Sequence, residues 1–566
     1  MADEYSFSQS QQPQETEFPF SSRQFTYIPD ANGGNYPNAQ VIFDLASLSN
    51  SGKYVDWQQS YLTIPLVLHT NFSTANAGAT RENCFAQSLK NGFHQLINSL
   101  SVEITNNQVV NLTNFSNLDI NYKLLTSMSL EEVKNLESTI GFSKDTAESI
   151  SYVGAAANYM TGIGECNNNI NDAVFAPASG WGATAMGVNR GRLQRMVNTS
   201  FDAAGIAASW TDATKSGTVG KNYTTQSTTD IVSYIMATIP LRFLHDIFSK
   251  LPLAKGIYMR LIINTNTQCI TSVGALTGGI QFVGPFTTSS QNNVVPYMLS
   301  GIGTGYGLVP ATGSASTIKI GVGIGKSPIT TTLTHPTTQQ CRIYACVYEM
   351  SPPYEEAYLL STPTKKILYN DILTFPIYNT GAGSQVSQIL TNGISRARYL
   401  LICPFLSGSI NGSGSAKDAA FAATAQITNV AAVAPMASPF SSAPATGCPY
   451  AHVTNFNVLI SGSNLYQSNI NYKYEHWLQE LRCSHAINGG LSLGISSGIL
   501  SQQEYEAGYN FVYCDLSRKI SQASDDISRS IQVVFQNASP CAMDYICVIG
   551  YEREITISTS TGSLVV

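Results

Sequence analysis

Apolar and polar residues alternate along most of this chain in short runs bounded by Asn, Gly, Ser and Pro. That is the period of two expected of strands with one buried face. Leu100, Val102 and Ile104 make one such run; Phe456, Val458 and Ile460 make another; Ile257, Met259, Leu261 and Ile263 make a third. Helical spacing is scarce. Tyr474, Trp477, Leu478 and Leu481 fall at i, i+3, i+4 and i+7. Leu241, Leu244, Ile247, Phe248 and Leu251 form the apolar stripe of a helix predicted from Pro240 to Leu251, which Pro252 and Gly256 end. Ser129 with Glu132 reads as a capping box. The chain is predicted to be mainly β, with short helices between its strands.

The pattern repeats. "SLSVEITNNQVVNLTNFSNLDINYKLL" and "NFNVLISGSNLYQSNINYKYEHWLQEL" each run from an alternating strand through a turn, Asn106-Asn107 or Gly462-Ser463, to the same four residues and into a helix. Those four are Ile120-Asn121-Tyr122-Lys123 and, 350 residues later, Ile470-Asn471-Tyr472-Lys473. A second echo joins "IVSYIMATIPL" and "IYMRLIINT" to "YNFVYCDLS" and "RSIQVVFQNAS", whose last strands end in Asn264 and Asn537. One β unit is therefore used twice. We expect a flexible arm over 1–29, a first unit over 30–352, a linker over 353–362 around Pro353, and a second unit over 363–566. The stretches 144–229, 271–335 and 408–450, rich in Gly, Ala, Ser, Thr and Asn, read as loop insertions.

Composition sharpens this picture. Of the 566 residues, 43% are hydrophobic and only 12% charged, about half the usual ~25%. A surface made of Ser, Thr, Asn, Gln and Tyr suits contact with further copies of itself, because few charges need desolvation. The 29 tyrosines suit both strands and interfaces. Net charge is −6 and Lys and Arg do not cluster, so no nucleic-acid site is expected. The first residues show no basic-then-apolar leader, and the most apolar long run, Ala419 to Ala437, carries Gln426, Asn429 and Pro435 and reads as a loop. The 11 cysteines are scattered without a CxxC pair, as reduced buried thiols would be.

Candidate chemistry is thin. His245-Asp246 is adjacent on the predicted helix, about 100° apart, so the two side chains do not face each other. Neither HExxH nor a Cys/His zinc spacing occurs among His69, His94, His335, His452, His476 and His485. "GVGIGKSP" (Gly321 to Pro328) lacks the first glycine of a phosphate loop and runs into Pro328 instead of a helix. "GIGTGYG" (Gly301 to Gly307) misses the dinucleotide spacing at Tyr306. Glu131-Glu132, Glu355-Glu356 and Glu475-His476 read as solvated or packed faces. Asp515 and Arg518 could staple a strand end or face a neighbouring subunit. No catalytic, cofactor-binding or metal-ligating residue is assigned.

Taken in order, "GFHQLINSLSVEI", "NYKLLTSMS" followed by "ESTIGF", "IPLRFLHDIFSKLPLAKG", "YNDI", "TNGISRARYLLICPFLS", "INYKYEHWLQEL", "GLSLGISSGILSQQEYEAGYNFVYCDLSR" and "MDYICVIGYEREITI" resemble the double jelly-roll major capsid proteins of polinton-like viruses, adintoviruses and virophages, of the hexon-like lineage. The resemblance spans about half of the chain across both units. It implies two tandem eight-stranded jelly rolls and a homotrimer that forms one pseudo-hexagonal capsomer. Such capsomers would tile an icosahedral virion shell around double-stranded DNA, alongside neighbouring capsomers and penton and minor capsid or cement proteins. The residues themselves give no enzyme activity, cofactor or membrane span to expect. Two rivals remain: a virion spike or glycan-binding β-sandwich protein, for which Trp181 and Trp210 would be aromatic platforms, and a two-domain cupin-like enzyme, which needs clustered His and Glu ligands.

Overall fold

A computed structural model describes residues 19–36, 39–72, 87–89, 92–142, 223–226, 230–266, 269–276, 280–282, 287–288, 297–299, 316–329, 340–406, 451–483, 500–519, 527–539 and 542–565. Eight principal strands build the first unit: β1 (Phe20–Pro29), β2 (Gln40–Asp44), β3 (Tyr54–Phe72), β4 (Ile97–Ile104), β5 (Asn107–Val110), β6 (Asp230–Pro240), β7 (Met259–Thr265) and β8 (Arg342–Met350). Eight more build the second: β9 (Thr364–Thr380), β10 (Gln385–Ile394), β11 (Ala397–Leu406), β12 (Val453–Ile460), β13 (Ser463–Asn464), β14 (Val512–Asp515), β15 (Arg529–Asn537) and β16 (Met543–Ser558).

The two sets are wired identically. In the first unit one sheet runs β1-β8-β3-β6 and the other β2-β7-β4-β5. In the second, one runs β9-β16-β11-β14 and the other β10-β15-β12-β13. Every strand of the first unit thus has its counterpart eight strands later, all pairings are antiparallel, and the order is that of a jelly roll. The fold is two tandem jelly rolls. The alternation places the core: Met259, Leu261 and Ile263 of β7 are all 0% exposed while Arg260 between them faces out. In the second unit Phe535 of β15 meets Tyr545 of β16 edge to face at 4.8 Å, joining the sheets. Among the described residues one contiguous apolar core runs through both units, beside a small cluster of Val67, Val232 and Tyr234.

The matched turns are tight hairpins with both central residues at positive φ: Thr105 (50°) and Asn106 (62°), then Ser461 (50°) and Gly462 (80°). Each lies one residue before the turn read from the sequence. A β-branched residue is strained there, so Thr105→Asn is expected to stabilise the chain by about 0.5–1 kcal/mol, measured as a higher urea midpoint.

Several expectations need correction. The arm expected over 1–29 is a strand from Phe20 onward, because β1 pairs with β8 along its whole length. The insertion expected over 271–335 is not all loop. Ser316–Ile324 pairs with β3, and Cys269–Leu276 pairs with Ser316–Ile324 in turn, widening the first sheet. The linker is helix α5 (Pro352–Ser361), entered through its prolines. Four further helices matter below: α1 (Ser116–Ser127), α2 (Leu130–Ile140), whose Ser129–Glu132 capping box is formed, and the single turns α3 (Leu241–Leu244) and α4 (Ile247–Lys250). A last one, α6 (Tyr474–Cys483), follows β13. The helix expected from Pro240 to Leu251 is broken at His245, which is extended (φ −159°, ψ 146°). Its Nδ1 accepts the Ile247 N–H at 3.2 Å and restarts the turn beyond it. The shared tetrapeptides also differ: Ile120–Lys123 lies inside α1, whereas Ile470 bridges Phe456 and helix begins only at Tyr474. Residues 144–222 and 408–450 lie outside the described residues.

A candidate assembly surface

The junction between the units is built around Asp371 of β9, which is fully buried. Its carboxylate accepts from Arg553 at 3.1 Å, from Tyr551 at 3.2 Å, from the Asn111 backbone of the first unit at 3.3 Å and from the Ile372 backbone at 2.9 Å. His245 Nε2 lies 3.5 Å away, too far for a good hydrogen bond. Burial pushes the Asp371 carboxyl up, but His245 and Arg553 outweigh it and the group titrates below its ordinary value. Neighbouring bonds cross the same seam. Arg553 also donates to Val109 O at 2.8 Å, the Asn370 N–H to Asp246 at 3.1 Å, and Tyr369 OH to Val109 O.

Helix α1 of the first unit seals the outer face of the second. Asp119 accepts from Tyr399 OH at 2.8 Å, and Tyr122 stacks on Tyr513 with centroids 5.5 Å apart. Tyr122 OH accepts from Trp477 Nε1 of α6 at 3.0 Å. Tyr472, its tetrapeptide twin, bonds the Tyr513 backbone through both its O–H (2.6 Å) and the returning N–H (3.0 Å). The two tyrosines reach one strand by different backbones. Close approach demands glycine: a Cβ on Gly550 would sit 2.1 Å from the Tyr399 ring. At Gly256 (φ +69°), one would sit 2.7 Å from Thr561 O of the second unit.

Two other outer faces are open. On the first unit Phe25 of β1 is 49% exposed and Tyr27 56%. Tyr61 stacks on Tyr344 at 4.9 Å, and Arg342 lies 4.9 Å over Tyr27. On the second, Lys366, Arg396 and Arg398 lace Glu554 and Glu552 at 2.6–3.0 Å into a charge ladder that is mostly half-buried. Pairs that keep contact with solvent contribute little stability but favour orientation of a partner.

The sequence-derived candidates fall as follows. His245 and Asp246 do not act together; each contacts the second unit, through Asp371 and the Asn370 backbone. Arg518 pairs with Glu480 at 2.8 Å and not with Asp515, which instead accepts from Ser517, so of the two alternatives the Asp515–Arg518 staple is not formed. Glu355 contacts Lys255 and Tyr54, and His476 packs on Tyr472. Gly321–Ile324 is strand, and Pro328 and Lys326 fold back onto Gly321 and Gly323. Gly301 to Gly307, His335, His485, Trp181 and Trp210 lie outside the described residues. Of the 11 cysteines, Cys341, Cys346, Cys403, Cys514 and Cys547 are free and buried. Burial pushes the Cys341 thiol up to about 12.

One constellation escaped the sequence reading because its members are 161 and 258 residues apart. His69 Nε2 lies 2.7 Å from Asp230 and Nδ1 2.6 Å from Ser327 Oγ. Burial lowers the His69 pKa against the pull of Asp230. Ser327 Oγ is engaged with both the N–H and the C=O of Ile329, at 3.0 and 2.9 Å. The trio clamps a turn onto β3. Among the described residues no group of three His, Cys, Asp or Glu side chains could hold a metal ion, and no helix is long and apolar enough to cross a membrane.

No family model and no curated protein matches the sequence. Solved structures do match. A structure from the Sputnik virophage, determined by cryo-electron microscopy, aligns with a TM-score of 0.52 at 10% identity, over 98% of this chain and 90% of its own. The mavirus major capsid protein aligns at 0.46 and 9%, over 98% and 92%, and the faustovirus major capsid protein at 0.41 and 10%, over 97% and 93%. At such identity the likeness is one of fold. It extends across both jelly rolls.

Proposed function

We propose that this chain is a viral major capsid protein, a structural subunit without catalytic activity, that trimerises into pseudo-hexagonal capsomers of an icosahedral shell. The observation that carries this reading is the fusion of two identically wired jelly rolls through one continuous core. The Sputnik virophage structure shares that architecture along nearly the whole chain. Two like units per chain give a trimer six similar corners, and closed rings form through head-to-tail contacts. Many modest contacts per capsomer then add up to a stable shell.

Light scattering on the purified chain, with metal content measured on the same sample, tests this. A metal-free species at three times the chain mass, with a hexagonal outline in negative stain, is the expected result. A monomer with stoichiometric transition metal would point to the cupin-like enzyme. A metal-free monomer that binds a glycan array would favour the spike, for which the exposed Phe25 and Tyr27 would be the platform.

A further inference from the structure

Helix α5, which joins the two units, is thinly covered for its composition. Seven of its ten residues, PPYEEAYLLS, are apolar or aromatic, yet among the described residues none is buried. The side that meets the rest of the chain does so through polar groups: Glu355 pairs with Lys255, and Tyr358 OH donates to Leu253 O at 2.8 Å. The outward side is the apolar one. Pro353, Ala357 and Leu360 fall at i, i+4 and i+7 and are all exposed, with Tyr354 beside them. Leu360 is 75% exposed and Tyr354 43%. Helices this short take most of their stability from packing an apolar face, and this face has nothing described against it.

We infer that residues 1–18 of the same chain lie along this outward face and strap the joint between the units. The path starts there. The N–H of Ser351, the N-cap of α5, donates to Pro19 O at 3.0 Å, so the chain before Pro19 leaves from the first turn of the helix. The length suffices. Ten helical residues are about 15 Å long, and roughly five extended residues span that distance. Phe18 then falls beside Pro353 and Tyr354, and Pro13 and Gln14 come level with Leu360. The charge fits as well. The segment carries Asp3, Glu4, Glu15 and Glu17 and neither Lys nor Arg. Just past the far end of α5, Lys365 lies 4.7 Å over the Tyr358 ring and pairs with no carboxylate among the described residues. An acidic segment with Phe18, Phe7 and Tyr5 to bury offers that lysine a partner and the apolar stripe a cover.

Benzoylphenylalanine in place of Leu360 in the full chain tests the placement. The first Lys or Arg of the sequence is Arg23, so trypsin releases residues 1–23 as one peptide. With isotopically labelled and unlabelled copies mixed, irradiation should join position 360 to that peptide within one copy. Cross-links to other peptides, to the 1–23 peptide of another copy, or none at all overturn the inference. Glu15 and Glu17 give a second readout. A glutamate-specific protease should cut there about tenfold faster in Leu360→Asp than in the unaltered chain, the effect of removing one leucine contact. Equal rates overturn the inference too. Leu360 is too exposed for its substitution to threaten the fold, which circular dichroism checks. Neither readout depends on how many copies associate, so a failure here leaves the capsid reading standing, and the solution mass tests that reading separately.

Discussion

Asp371→Asn lowers stability by about 3 kcal/mol, the expected cost of breaking a buried ion pair from one side. The amide cannot compensate the Arg553 guanidinium, and it meets the Asn111 N–H, Tyr551 and the Ile372 N–H with only one acceptor oxygen. Arg553 is 28% exposed and recovers some hydration, which keeps the loss at the low end of the range for such pairs. The pH dependence carries a sign. The folded Asp371 carboxyl titrates below its unfolded value of about 4, so its contribution is complete above that pH and disappears as pH falls through the folded value. The wild-type urea midpoint should therefore fall on acidification below about pH 4, and that of Asp371→Asn should fall less steeply. Parallel slopes would show that the acid sensitivity lies elsewhere.

Trp477→Ala is expected to cost about 3–5 kcal/mol. The side chain is 0% exposed, packs on Tyr505 at 5.1 Å, and its indole N–H is bonded to Tyr122 OH. Truncation leaves a cavity and removes a hydrogen bond between the two units. Trp477→Phe separates the terms. It keeps most of the packing and should lose only about 1–2 kcal/mol, in line with one buried hydrogen bond. Urea unfolding followed by fluorescence measures both. Equal losses in the two variants would assign the whole effect to the hydrogen bond.

The repeat was legible because its strands obey a local rule: alternation at 100–104 and 456–460 survives when nearly everything else has diverged. The double jelly roll followed from it and from the resemblance of the flanking motifs. What was not legible depended on distant partners. "FSSRQFTYIP" has aromatic rings on an exposed face, so its alternation is masked, and only pairing with β8 makes it a strand. The break at His245 is set by a side chain reaching the backbone two residues on and a carboxylate in the other unit, which helical periodicity cannot register. Glu480 as the partner of Arg518, and the His69–Asp230–Ser327 clamp, likewise join residues with no shared local pattern. The exposed aromatic face was not legible: Phe25 and Tyr27 reach Tyr61 and Tyr344 only when β1 pairs with β8.

The pairing of the first strand with the eighth sets a timetable for synthesis. Ser22 bonds Glu349, 327 residues later, so the first sheet cannot close until the ribosome has delivered nearly two thirds of the chain. At about 5–20 residues per second that delay is roughly 15–65 seconds, during which β3 has no β8 beside it. Contacts this remote also make for slow folding once the chain is complete. A nascent chain must therefore keep an apolar strand edge from its siblings on the same polysome, and whatever shields it acts before β8 has been made.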